Sequence, residues 1–398
     1  MESVMPTKKL SNQLKYIERV TWPMGCWPLE NDMISVFLTF LFVIIQVSLV
    51  ATVSIEISLG YGNLDEKIRN IDLQKFGTLA LIKVLIVRFY HRNLAFIIVS
   101  VNEDWLSSMK TKYLGIMKGY ASRGNTVLYA YAIIDTLQLS MLFLINFPTF
   151  PKNVKNNSTN NSYDISEERV LFLGTKSLLG DYSTTSYLLI YILQIVQCFS
   201  TSFGNFGIDF FFFSLAMQIC GQLEILFHDM SDFNLKSNLK ATKYIIVSFI
   251  KRHQHLLKEV EILETTFNLI ILTQLAVNIS GICTYGIQVI IAMQNSNTFS
   301  AVMTLLCTLL LMSQLLLYCY AGDLLSSKVS MIKISSYQFP WYDVPCNLAM
   351  DMCFVMARAG YPFRLTAGKF MTMNMDSFTK IVKVTFSYFS VLRLMLNN

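Results

Sequence analysis

The chain has 398 residues, of which 53% are hydrophobic and 15% charged, with a formal net charge of +6. A water-soluble domain of this length carries far more charge on its surface, so the composition excludes a soluble enzyme or nucleic-acid binder and points to an all-α protein in a bilayer.

In chain order, residues 1–32 form a basic opening segment with Lys8, Lys9, Lys15 and Arg19. A full-length apolar run follows directly, rather than the short apolar region of a cleaved signal peptide. The runs 33–55, 187–208, 266–293 and 298–321 are charge-free or nearly so, and each exceeds the ~20 residues that span the apolar core of a membrane. Three further segments are apolar but interrupted: 76–89 holds Lys83 and Arg88, 126–147 holds Asp135, and 378–396 holds Lys380, Lys383 and Arg393. Counting all of them gives seven crossings. With the N-terminus inside, Lys and Arg on the inner side exceed those outside by roughly three to one, the bias expected of cytoplasmic loops. The C-terminus then lies outside.

The second outer loop reads "NNSTNNS" and places glycosylation sequons at Asn156, Asn157 and Asn160, which are modified only on the lumenal side. None of the eight cysteines falls in an outer loop, so disulfides are not expected. Lys83 and Asp135 each lie on the order of 13–15 Å along their helices from the inner ends, at about 1.5 Å per residue. An unpaired charge at that depth is costly, so the two are expected to pair. Further along, "KYIIVSFIKRHQHLLKEVEILE" (243–264) has apolar residues at helical spacing and runs into an uncharged span, so that span projects into the cytoplasm as an amphipathic helix. Its "HQH" faces opposite sides of a helix and reads as a solvated basic helix rather than a metal site. Nothing resembles an active site, and no metal or cofactor is expected.

After the sixth span a Pro and Trp turn precedes an apolar helix over 346–358, too short to cross and suited to packing below the membrane. "FRLTAGKF" reads as extended, and Asn374 or Asp376 caps the last helix. The expected organisation is a cytoplasmic segment at 1–32, six spans with their helix extensions at 33–338, a cytoplasmic anchor helix and linker at 339–372, and a final helix at 373–398.

The segments "YCYAGDLL" (318–325), "FPWYDVP" (339–345), "MARAGYPFRLTAGKF" (356–370) and "MNMDSFTKIVKVTFSYFSVL" (373–392) resemble the C-terminal signature of insect odorant receptors. "EDW" around Trp105 and the "RHQHLLKEVEILETTF" run are also similar. The resemblance implies a subunit of a tetrameric, ligand-gated, non-selective cation channel in a sensory neuron membrane, partnered by the olfactory co-receptor. The loop 221–264 looks too short for the co-receptor's long insertion, so the chain reads as the odorant-binding partner.

It also implies roles for residues. The short helix, with Trp341, Tyr342, Leu348, Met352 and Phe354, would anchor subunits to one another, and the final helix would line the pore. Val391 and Met395 match the family's apolar gate, a narrow ring that dewets until it is widened. Tyr388 and Leu394 lie beside them, and Leu394 falls where the co-receptor has a Gln. The outer halves of spans two, three, four and six would enclose the ligand. There they offer Leu79, Gln138, Met141, Tyr191, Met303 and Cys307, a set suited to small hydrophobic odorants or pheromones. A gustatory-type channel is the alternative, but its closing "TYxxxxxQF" is replaced by "SYFSVLRLM". A G-protein-coupled receptor would need an acid-Arg-Tyr triplet and "NPxxY", and neither appears.

Overall fold

No proline falls within the long apolar runs, and in lipid every backbone N–H and C=O has to be satisfied within its own segment, so these runs fold as helices. The computed structural model describes residues 11–30, 32–60, 64–108, 112–145, 184–231, 239–294 and 298–397. In order they form α1 (Asn12–Thr21), a 3-10 turn (Trp22–Met24), α2 (Met33–Leu59), α3 (Leu64–Phe89), α4 (His91–Ser108) and α5 (Leu114–Ile145). Then come α6 (Thr184–Ser231), α7 (Leu239–Gln294), α8 (Thr298–Gln338), a second 3-10 turn (Trp341–Asp343) and α9 (Cys346–Ala359). A hairpin of β1 (Thr366–Ala367) and β2 (Met371–Thr372) leads to α10 (Met375–Asn397).

Four of these helices, α2, α6, α7 and α8, are long and apolar enough to cross a membrane, and α3 with α4, bent by 71°, makes a fifth if the pair is one span. The four are the charge-free runs of the sequence. α6 has 48 residues and α7 has 56. At about 1.5 Å per residue each is more than twice as long as the ~30 Å apolar core is thick, so both continue into water as part of an extramembrane bundle.

α6 is the central strut. Its Phe211, Phe212, Leu215, Ala216 and Ile219 are buried, and it packs against α1, α3, α5, α7 and α8. α2, by contrast, buries one narrow face through Phe42, Leu49 and Val53 and turns Phe37, Phe40, Ile44 and Val47 outward, as a helix against lipid does.

α9 lies against α8, and α10 sits on α7 and α8. Between them the stretch expected as extended folds back on itself, pairing Thr366 with Thr372 and Ala367 with Met371. The three-residue connection, 368–370, turns through Gly368 and Lys369, both left-handed (φ 56° and 66°), and closes with the Phe370 N–H donating to Ala367 O at 3.0 Å. The Gly368 N–H donates to Asn268 O of α7 at 2.9 Å, and Glu264 of α7 accepts from Lys369 and from the Thr366 hydroxyl, each at 2.5 Å. The hairpin therefore clamps the root of α10 to α7.

Candidate ligand and gating site

Lys83 of α3 is 0% exposed, and burial there demands a counter-ion. Its ammonium donates to Asp209 Oδ1 of α6 at 2.5 Å and to Asn205 O at 3.4 Å. The expected Lys83–Asp135 pair is not formed. Asp135 instead accepts the Ser202 hydroxyl. Equal depth puts two charges on one level but leaves their direction around each helix open, and α6 stands beside α3 with Asp209 turned towards it. Asp209 also takes the Tyr318 hydroxyl at 2.5 Å on Oδ1 and Gln314 Nε2 at 3.4 Å on Oδ2, both from α8. Gln314 Nε2 meets the Tyr131 hydroxyl of α5, and its Oε1 accepts from Gln274 of α7 at 3.0 Å. Gln274 bonds Asn278 one turn above at 2.8 Å. The sequence offered one signal that went unread: Asp209 directly follows the apolar run 187–208, and α6 carries on past it.

The expected ligand residues fall into separate places. Leu79 is buried and lines a cleft of about 360 Å³ between α3 and α7, whose other walls include Ile71, Thr78, Ile82, Ala276 and Val277. Residues of α7 had not been expected in a ligand wall. The exposed Ala276 opens this one, a small side chain at a helix crossing. Tyr191 is buried and stacked on Tyr187 one turn away, with ring centroids 6.4 Å apart. Met303 and Cys307 are half-buried, one turn apart on α8. The side chains of Gln138 and Met141 lie outside the described residues, so the structure does not bring all six into one described cavity.

At the other end of α8, Gly322 comes so close to the chain entering α10 that an added Cβ would stand 2.2 Å from Met373 O. Met373 N–H donates to Leu365 O at 2.8 Å, and Asn374 Oδ1 accepts the Ser377 N–H at 2.8 Å as the N-cap of α10, with Asp376 in the first turn. Lys380 and Lys383 are exposed. The backbone of α10 reaches Asn397, but the side chains of Tyr388, Val391, Leu394 and Met395 lie outside the described residues, as do Asn156, Asn157 and Asn160 altogether.

The anchor residues divide by helix phase. Leu348 and Met352 face inward and join the chain's own core, and Trp341 is half-buried against it. Tyr342 is 72% exposed and Phe354 69%, and Met350, Tyr361 and Phe370 share that outward exposure.

A second charged cluster lies in the extramembrane bundle. Arg252 of α7 reaches Asp104 of α4 at 2.6 Å and Gln222 of α6 at 2.9 Å, and Trp105 Nε1 donates to Gln218 Oε1 at 2.8 Å. Ser100 donates to Glu259, which also pairs with His255 at 3.1 Å. Burial pushes the Asp104 carboxyl up to about 6, and the hydrogen bond to Glu259 raises His255. The two histidines do face different ways, but His253 is not solvated: it is buried beside Phe249, and burial, reinforced by the Arg358 charge, pushes it down to about 4.

A family model described as 7tm odorant receptor matches residues 63–386. Odorant receptor 85c of Drosophila melanogaster is 23% identical over 208 residues, 52% of this chain and 53% of that protein. Odorant receptor 13a of the same fly is 26% identical over 44% of this chain and 45% of its own. The matches thus span about half the length of these curated relatives. The fold is similar to that of the olfactory receptor OR5 of Machilis hrabei, with a TM-score of 0.75 at 14% identity over 95% of this chain and 97% of that one. The same receptor in complex with eugenol gives 0.72 at 13% identity, over 96% and 98%.

Proposed function

The chain belongs to the 7tm odorant receptor family, multi-pass membrane receptors and not enzymes, and on that premise we propose that it is the odorant-binding subunit of a ligand-gated, non-selective cation channel. In this reading the N-terminus is cytoplasmic and the C-terminus extracellular. The chain assembles with the olfactory co-receptor as a tetramer in the plasma membrane of a sensory neuron, and copies of α10 surround the pore. Val391 and Met395 form the apolar gate, flanked by Tyr388 and Leu394. Asn156, Asn157 and Asn160 are glycan acceptors. The ligand is a small hydrophobic molecule held by Leu79, Gln138, Met141, Tyr191, Met303 and Cys307. A fold shared with a receptor that binds eugenol supports a ligand of that size.

One observation carries the channel part. The second 3-10 turn, α9, the link after it and the hairpin expose Tyr342, Met350, Phe354, Tyr361 and Phe370 at the end of the molecule that carries the extramembrane bundle, where lipid tails do not cover them. Large apolar side chains exposed in water within one short segment support a protein interface there. The anchor role is therefore assigned to Tyr342 and Phe354, with Trp341, Leu348 and Met352 supporting them from behind.

The test is expression with and without the olfactory co-receptor, recording from cells exposed to a panel of small alcohols, esters and phenols. The expected result is an odorant-evoked cation current only in the pair, insensitive to G-protein inhibitors. A tag after Asn398 should be accessible on intact cells, and one before Met1 should not. A cytoplasmic C-terminal tag, or a current that needs a second messenger, overturns the reading.

A further inference from the structure

Five helices meet in the polar network around Asp209: α3 through Lys83, α5 through Tyr131, α6 through Asp209 itself, α7 through Gln274 and α8 through Gln314 and Tyr318. Every one of these side chains is less than a tenth exposed. Lipid offers no replacement partner, so α8 cannot move against α6 without its donors exchanging acceptors within the network. Spare acceptors are present. Asn205 Oδ1, beside Lys83, and Gln274 Oε1 are buried without a donor among the described residues. The network thus has more than one way to be bonded.

Its place on α8 matters most. Met303 and Cys307, candidate ligand residues, lie on the outer side of Gln314 on that helix. Gly322 lies one turn to the inner side of Tyr318, where α8 touches the backbone of Met373 at the root of α10. Likewise Leu79 is one turn from Lys83 on α3. On α8 the network stands between the ligand positions and the contact with the root of α10.

We propose that Tyr318, through its hydroxyl on Asp209, is a positioning residue that couples ligand occupancy to the pore helix, by fixing where α8 stands against α6 and so where Gly322 holds the root of α10. The proposal rests on the channel reading. A group of this kind biases a two-state equilibrium without touching ligand or ion. Its loss shifts resting current and ligand sensitivity reciprocally, more resting current with a lower EC50 or less with a higher one. A residue that only packs changes the number of channels and leaves EC50 alone.

The experiment is Tyr318→Phe in the full chain with the olfactory co-receptor, using the strongest wild-type agonist from the odorant panel. Surface amount is read by the extracellular tag, and resting current and EC50 are taken per surface receptor. The expected result is an EC50 moved about tenfold, the weight of one hydrogen bond to a charged group, with the reciprocal change in resting current. An EC50 within twofold of wild type overturns the proposal while leaving the channel reading intact. If Tyr318→Phe does not reach the surface, Gln314→Met is measured the same way, and failure of both to reach the surface makes the network a folding element and also overturns the proposal. A wild-type chain silent with the co-receptor removes the channel reading, and the coupling role with it.

Discussion

The clusters at Lys83 and at Asp104 use the same chemistry, a cation on a carboxylate braced by glutamine and hydroxyl groups, in different solvents. Around Lys83 the pair is sealed by five helices inside the membrane, whereas Arg252 keeps 30% of its side chain exposed. Water can therefore replace a lost partner at Arg252 but not at Lys83. A buried membrane pair is held by what its loss would leave behind rather than by its own net strength, and an extramembrane pair is tuned by protons.

The largest effect expected from breaking this contrast is charge reversal in the membrane. Lys83→Asp or Asp209→Lys alone leaves like charges buried together, at a cost of about 3–5 kcal/mol, and should abolish surface expression. The double variant should restore it, while Lys83→Asp combined with Asp135→Lys should not, as measured by surface labelling. Next comes Gly322→Ala, which forces a methyl group into Met373 O. Overpacking of this kind costs about 1–3 kcal/mol, and here it displaces α10, so evoked current per surface receptor should fall at least severalfold.

A proton effect is expected at His253, in the extramembrane part of α7. Its folded value, about 4, lies below the ordinary 6.5. The neutral form is the one that fits the fold, so stability is complete above 6.5 and is lost as pH falls towards 4. The shift corresponds to about 3 kcal/mol at ~1.36 kcal/mol per unit. The purified receptor should lose thermal stability between pH 7 and 4.5, and His253→Asn should flatten that loss. Asp104 and His255 act in the opposite direction, since both are raised and their contribution is complete at low pH and lost as pH rises through their folded values. Asp104→Asn should therefore steepen the acid side of the profile. The smallest effect on the chain itself is expected from Phe354→Ala, within about 0.5 kcal/mol for an exposed side chain. Its signature is in assembly: co-purification with the co-receptor should drop.

The four charge-free runs were legible because hydropathy over a full span is a sum, robust to any single residue. The short helix and its Gly stop were equally plain, from Pro345 before it and Gly360 after it. What hydropathy does not contain is rotation about the helix axis. That missing coordinate is why the sequence pairs Lys83 with Asp135 rather than Asp209, why it groups Leu348 and Met352 with Tyr342 and Phe354 although they face the other way, and why it leaves both "HQH" histidines in solvent when one of them is buried beside Phe249. The hairpin was half legible. "TAGKF" carries the Gly its turn needs, but the partner strands are two residues each and leave no alternation to read.

The Lys83–Asp209 pair also sets a clock on biosynthesis. The two residues are 126 positions apart in the chain. At about 5–20 residues per second, the ribosome delivers the carboxylate roughly 6–25 s after the ammonium. For that interval α3 carries an ammonium whose carboxylate partner has not yet been made, and the cost of leaving it unpaired in lipid falls only when α6 arrives. The Tyr318 hydroxyl, 109 positions beyond Asp209, joins the network later still.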